Sequence, residues 1–183
     1  MPNISEMKTE RLRLIPLNFD SINPDDHQKI EQKLGLQLAS MILGEQIDRE
    51  IKAAMRTSLE NVIRDKTENQ WFLDWQSVLI ILKGESVIVG GFCFQMRPDK
   101  DGHVQIGYMI RPEYRNFGYM TEALKKGIEW ILERPRITCL VAETTKSNLP
   151  SHRVLKKAGM TVYKETERSL WWRLNKCAGS SEI

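Results

Sequence analysis

A mixed α/β sheet (α+β in its mixed connectivity), folded as a single domain over residues 1–183, is what this sequence predicts, and three patterns carry the prediction. Short runs alternate or concentrate apolar residues as strands do, once near the start and densely after Ser77. Other stretches repeat apolar residues at three- and four-residue spacing, as one face of a helix does. The stretch from His103 to Glu143 reads strand–helix–strand, long enough for a right-handed crossover and hence one parallel pair. The remaining strands connect as hairpins. With 183 residues, 41% hydrophobic and 28% charged, the chain has the size and composition of one domain with its own core.

Each element has a local reason. Arg11–Leu17 (RLRLIPL) alternates charged and apolar residues like a half-buried strand, and Pro16 is expected to end it. From Pro24 to Lys66 the pattern is helical. A looser stretch holds Ile30, Leu34, Leu38, Met41 and Ile42, interrupted near Gly35, and a longer one holds Ile47, Ile51, Met55, Leu59, Val62 and Ile63. Ser77–Lys83 and Ser86–Met96 flank Gly84-Glu85, a two-residue hairpin loop with glycine first. Pro98–Gly102 (PDKDG) is a turn, and His103–Ile110 is the fourth strand. The next helix has apolar positions Met120, Ala123, Leu124, Ile128, Ile131 and Leu132, with Pro135 as its stop. Arg136–Glu143 has the composition of a buried strand. Asn148 caps a short helix, with Pro150 in its first turn and Gly159 at its end. MTVYKE and SLWWRL close the fold as a hairpin, and residues 177–183 are expected to fray.

Several function classes are excluded or weakened at this level. The longest aliphatic run, Val78–Leu82, is far below the roughly 20 residues a membrane helix needs. The N-terminus lacks the apolar stretch and cleavage site of a signal peptide, so a cytoplasmic protein with no membrane partner is expected. A net charge of +3 without clustered Lys/Arg argues against nucleic acid. The charge is uneven: Asn18–Gln70 holds ten Asp/Glu against seven Lys/Arg, net −3, leaving +6 elsewhere. That bias suits a cationic substrate and an anionic cofactor, or simply marks solvated faces. Cys93, Cys139 and Cys177 lie far apart with no CxxC, as in a reducing compartment, with Cys93 and Cys139 expected as buried small hydrophobes. His27, His103 and His152 show no ligand spacing, so no metal is expected. Walker, nucleophile-elbow and dinucleotide motifs are absent from the sequence.

The segment richest in chemistry is Tyr114–Thr121 (YRNFGYMT), at a strand-to-helix junction. Unpaired N–H groups at a helix start, with the helix dipole, attract phosphate. Gly118 lets the backbone turn tightly, Arg115 is able to pair with phosphate, and the Thr121 hydroxyl is a further donor. The plain alternative is an ordinary junction with Thr121 as a cap.

Four segments in register then resemble the GNAT N-acetyltransferase family, most of all its ribosomal-protein (RimJ/RimL-like) branch. TERLRLIPL (Thr9–Leu17) resembles the branch's opening strand, and IGYMIRPEYRNFGYMTEAL (Ile106–Leu124) its cofactor strand, phosphate loop and helix. NLPSHRVLKKAGM (Asn148–Met160) resembles the later helix motif, and Glu143 stands five residues before Asn148, the spacing of a catalytic Glu in RimI-like relatives. The resemblance implies about seven strands flanked by about four helices, splayed between the fourth and fifth strands, with acetyl-CoA in that cleft. The rule that ligands sit where an open sheet switches direction points to the same place. It also implies that the backbone of Tyr108, Met109 and Ile110 pairs with pantetheine amides. The loop Arg115, Asn116, Phe117, Gly118, Tyr119, Met120 and Thr121 would wrap the pyrophosphate, Asn148 would bond the pantetheine arm, and Ser151 would point at the thioester sulfur.

The chain departs from the family pattern at two loop positions. Asn116 stands where this branch usually has Gly, a mild change because Asn tolerates left-handed backbone. Met120 replaces the final Gly/Ala, and either turns into the core with Leu124, leaving its N–H for the ligand, or crowds the pyrophosphate. The first is favoured because the backbone does the binding and Met is adaptable.

Acetyl transfer to an amine needs a base for the ammonium proton and donors for the developing oxyanion. By resemblance Glu143 is the base; the plain alternative is a strand-end Glu pairing with Lys146 or Arg153. The Tyr that relatives place seven residues after the Asn is Leu155 here, so that acid is missing. Ser151 is the substitute donor to the thiolate, or a helix hydroxyl backing onto a carbonyl. Lys156 and Lys157 either meet the 3′-phosphate or form a solvated face, the plainer expectation. Of Trp171 and Trp172, which alternate on a strand, one is expected in the core and the other at the acceptor cleft. The expected reaction is direct attack of a protein or peptide N-terminal amine on acetyl-CoA. The alternatives are a small amine, such as a polyamine or aminoglycoside, and a coenzyme A-binding protein without catalysis. A monomer and a homodimer fit the sequence equally.

Overall fold

The computed structural model describes residues 6–17, 77–85, 87–95 and 98–176. The helices read between Pro24 and Lys66, Cys177 and the terminal tail lie outside the described residues. Eight strands run in chain order as β1 (Met7–Lys8), β2 (Leu12–Leu17), β3 (Ser77–Leu82), β4 (Val87–Gln95), β5 (His103–Ile110), β6 (Cys139–Thr145), β7 (Thr161–Glu165) and β8 (Ser169–Asn175). The described helices are α1 (Tyr119–Leu132) and α2 (Leu149–Lys157), with a 3₁₀ turn at Pro112–Tyr114. The mixed α/β class expected from the sequence is the class observed.

The chain divides into two compact units, Met1–Gly91 and Phe92–Ile183. In the first, β1, β2 and β3 pair antiparallel. Thr9 shapes the β1–β2 turn, its Oγ1 accepting the Leu12 N–H at 3.0 Å. Leu12, Leu14, Val78 and Ile80 are buried, while Ile81 and Ile88 cluster with Ile15 and Leu79. Pro16 does not end its strand: it pairs with Val78, and β2 runs on to Leu17 opposite Ser77. Among the described residues the β1 ladder ends at Met7↔Leu14, so on that side no described residue pairs with Pro16, which lacks an N–H to donate. Gly84 turns the β3–β4 hairpin at a φ of 83°.

In the second unit the strand order is β5-β6-β8-β7. The crossover from β5 through α1 to β6 is parallel, as expected, and β6–β8 and β8–β7 are antiparallel. The final hairpin therefore sets β8 inside and β7 outside, all five β7 residues being exposed. The α1 face of Met120, Ala123, Leu124, Gly127, Ile128 and Ile131 is buried. Gly127 packs so near Phe92 that an added Cβ would stand 2.7 Å from its ring. β6 begins at Cys139, later than the expected Arg136, and extends past Glu143 to Thr145. Arg136 holds a left-handed φ of 66°, which no strand accommodates. Cys139 is buried as expected, but Cys93 is only half-buried.

Candidate active site

The parallel pair of β5 and β6 is closed at one end and open at the other. At the closed end Thr138 N–H donates to Gly102 O at 3.0 Å and Thr138 Oγ1 to Asp101 O at 2.6 Å. The register then runs His103↔Cys139, Val104↔Leu140 and Gln105↔Val141, and stops. β6 meanwhile stays paired with β8 along its whole length, from Cys139↔Asn175 to Thr145↔Ser169. It follows β8 and leaves Ile106–Ile110 without a ladder to β6. Residues 107–110 are half-buried, as the lip of a cleft should be.

Past this open strand the chain makes the 3₁₀ turn and enters the loop to α1. Arg111 is ion-paired with Glu113 and lies over the Tyr114 ring. Glu113 titrates below the usual carboxylate range, chiefly through a backbone hydrogen bond, with Arg111 and Arg115 adding to it. Arg115 is exposed on extended backbone. Asn116 takes a φ of 67° and Gly118 one of 82°, so two left-handed residues bend the loop around the start of α1. Gly118 is the N-cap, and among the described residues no side chain caps that end. The first helical bond is Glu122 N–H to Gly118 O at 3.0 Å. This is a backbone cradle whose first-turn amides suit an anion. Met120 is only 3% exposed and sits with the buried Leu124, so its side chain is in the core and away from the loop. Thr121 is the third helical residue, not the cap.

The other wall comes from β6 and α2. Asn148 caps α2: its Oδ1 accepts the Ser151 N–H at 3.2 Å. That leaves the carboxamide NH₂ as the group with donors to offer. Across the open end, Tyr108 Oη donates to Ser151 O at 3.2 Å, and burial raises the phenol pKa above its ordinary value. The Tyr108 side chain thus struts β5 to the first turn of α2. It shares its strand face with the buried Val104 and Ile106, a period-two signal legible in the sequence, which pointed only to the Tyr108 backbone. His152 was also missed. Its Nε2 lies 3.0 Å from Thr145 O, and since a carbonyl only accepts, that nitrogen carries the proton. The His152 ring contacts Trp172, whose Nε1 donates to the buried Thr144 hydroxyl at 2.9 Å.

Glu143 lies on β6 opposite Trp171, exposed, between the buried Ala142 and Thr144. Lys146, offered above as its partner, is instead held by Glu165 at 2.6 Å. Among the described residues Glu143 makes no ion pair, with Lys146 or with Arg153. Leu155 is completely buried, so α2 presents core where relatives present a phenol. Lys156 and Lys157 are exposed, Trp172 is core, and Trp171 is half-buried under Lys164. No described helix is long and apolar enough to cross a membrane. No described group of three His, Cys, Asp or Glu could hold a metal ion.

An open parallel strand, a left-handed loop at a helix start and a capped second helix together suit a ligand with an amide-bearing arm and a phosphorylated end. Comparison with known proteins shows the family. Residues 24–161 match the acetyltransferase (GNAT) domain family. The chain is 31% identical over 170 residues to the uncharacterized N-acetyltransferase YjdG of Bacillus subtilis, covering 90% of this chain and 95% of that one. A GNAT-family acetyltransferase from Bacillus anthracis superposes with a TM-score of 0.62 at 17% identity, over 94% of this chain and 99% of its own. The ribosomal-protein α-N-acetyltransferase RimL, solved with coenzyme A, superposes with a TM-score of 0.59 at 12% identity, over 93% and 98%. These last two likenesses are of fold. The chain belongs to the GNAT family and is an acetyl-CoA-dependent acetyltransferase.

Proposed function

We propose that the whole chain, residues 1–183, works as one N-acetyltransferase that acetylates the N-terminal amine of a protein or peptide in a ternary complex, in the manner of the RimJ/RimL-like branch. The observation that supports it most is the β5/β6 pair opening after Gln105↔Val141, beside the loop of Asn116 and Gly118. A cleft between two strands admits an extended polypeptide end as well as an extended cofactor arm.

Acetyl-CoA supplies the activated acetyl group. The backbone of Tyr108, Met109 and Ile110 offers N–H and C=O groups to the amides of the arm, and the Asn148 NH₂ adds a donor. Arg115 and the backbone of Asn116, Phe117, Gly118, Tyr119, Met120 and Thr121 hold the pyrophosphate at the start of α1. A backbone N–H of the open strand stabilises negative charge on the reacting carbonyl oxygen. Glu143, exposed and without an ion pair among the described residues, takes the ammonium proton directly or through water. Ser151 donates a hydrogen bond to the departing sulfur. A thiol with a pKa of about 8.5 leaves without full protonation, so the buried Leu155 in place of a phenol is tolerable.

The test is Glu143→Gln, assayed by thiol release with an N-terminal peptide, a polyamine and an aminoglycoside as acceptors. Turnover should fall about 10²- to 10⁴-fold, the usual worth of a general base, with acetyl-CoA affinity unchanged. The peptide should be the preferred acceptor of the wild type. Unchanged turnover and pH profile would remove Glu143 from the chemistry, and preference for a small amine would overturn the acceptor.

A further inference from the structure

The phosphate loop carries one feature that backbone binding of phosphate does not use. Phe117 is the most exposed large hydrophobic side chain among the described residues, at 59%. Its ring is stacked on that of the half-buried Tyr119, with centroids 5.7 Å apart and planes 17° from parallel. Gly118 lies between them at a φ of 82°. A scattered exposed Phe is unremarkable on any protein surface. A Phe held nearly parallel to a second ring is different: the neighbouring ring fixes its orientation, and it remains widely exposed. Such a slab is complementary to a flat π-system rather than to an aliphatic chain.

We infer that the Phe117 ring, backed by Tyr119, is a stacking platform for the adenine base at the nucleotide end of coenzyme A. The inference rests on the coenzyme A reading above and extends it to a part of the ligand that the cleft and the loop backbone leave unassigned. The adenosine of coenzyme A is joined directly to its pyrophosphate, and Phe117 belongs to the loop assigned to that pyrophosphate. The base therefore needs no long reach to meet this ring. Base–aromatic stacking is typically lost on alanine substitution at a cost in affinity of roughly 5- to 150-fold.

The experiment is calorimetric titration of the full chain and of Phe117→Ala with two probes. One is coenzyme A; the other is phosphopantetheine, which keeps the arm and one phosphate but lacks adenosine. Phe117→Ala should bind coenzyme A about 5- to 150-fold more weakly while binding phosphopantetheine like the wild type. Phe117→Trp should keep coenzyme A affinity. Ultraviolet hypochromism of the adenine band should accompany binding to the wild type and shrink in the alanine variant. Equal loss for both probes would show that Phe117 only shapes the loop, and no loss for either would leave the ring without this role; both overturn the platform. A wild type that binds phosphopantetheine but gains nothing from the adenosine of coenzyme A overturns the platform and leaves the cofactor reading standing. A wild type that binds neither probe overturns the cofactor reading, and the platform with it.

Discussion

Asn148 combines two tasks that substitution separates. Its Oδ1 caps α2 through the Ser151 N–H, and its NH₂ is assigned to the ligand. Aspartate is as good an N-cap as asparagine, whereas alanine costs about 1 kcal/mol. Asn148→Asp should therefore melt like the wild type yet bind acetyl-CoA at least about fivefold more weakly, the loss of one net hydrogen bond. Asn148→Ala should lose both, and parallel melts and titrations read the difference. If Asn148→Asp binds normally, the residue is a cap alone. Gly102 is the stability counterpart, at the closed end of the cleft. It has a φ of 80°, and a Cβ there would meet Arg136 O at 2.1 Å. Gly102→Ala should cost about 1–3 kcal/mol from the left-handed backbone alone, and more from the clash, as a lowered urea midpoint. Asn116 shows how far a residue type alone reaches: its tolerance of left-handed backbone was legible in the sequence, and its φ is 67°.

At the scale of elements, caps and alternation identified most of what formed. Asn148, Gly159, Pro135 and the run from Met120 to Ile131 each marked a helix end or face where α1 and α2 now stand. β1 escaped notice because two residues cannot display a period of two. Insertion of β8 between β6 and β7 was illegible for another reason: strand order depends on which face each hairpin covers, and local pattern does not record it. For the same reason the sequence named Tyr108 and Ser151 separately but could not join them. That link carries a prediction. Tyr108→Phe removes a hydrogen bond worth about 1 kcal/mol. Burial also holds the folded phenol above its ordinary pKa of 10.0. A group with a raised folded pKa gives its full contribution below the unfolded value and loses it as the pH rises through the folded one. Wild-type stability should therefore fall more steeply than that of Tyr108→Phe above pH 10.0, and the two urea-midpoint curves should converge there. Curves that stay parallel would place the phenol in solvent.

For the whole molecule, the division of the chain makes ligand binding local. Every residue assigned to the cofactor, from Tyr108 to Ser151, lies in the unit Phe92–Ile183. Met120 is buried and does not fill the loop, so this departure from the family pattern leaves the cradle intact. Acetyl-CoA at about 100 times its dissociation constant should stabilise the folded chain by about 2.7 kcal/mol. For a chain of this length that is a rise of roughly 5–10 °C in the midpoint of thermal unfolding. Hydrogen exchange then locates the effect. Slowing should concentrate in Ile106–Ile110, where the open strand gains a partner for its amides, in Arg115–Thr121 and at the first turn of α2. The amides of β1, β2 and β3 belong to the other unit and should slow no more than global stabilisation alone slows an amide that exchanges by global unfolding. Protection spread evenly over both units would mean that the ligand acts on global stability without the strand-like pairing assigned to β5. Protection confined to α2 would remove the loop from the site. Slowing at Ile106–Ile110 and at the loop together is the pattern an arm laid along an open strand requires, because both ends of one extended ligand must be held at once.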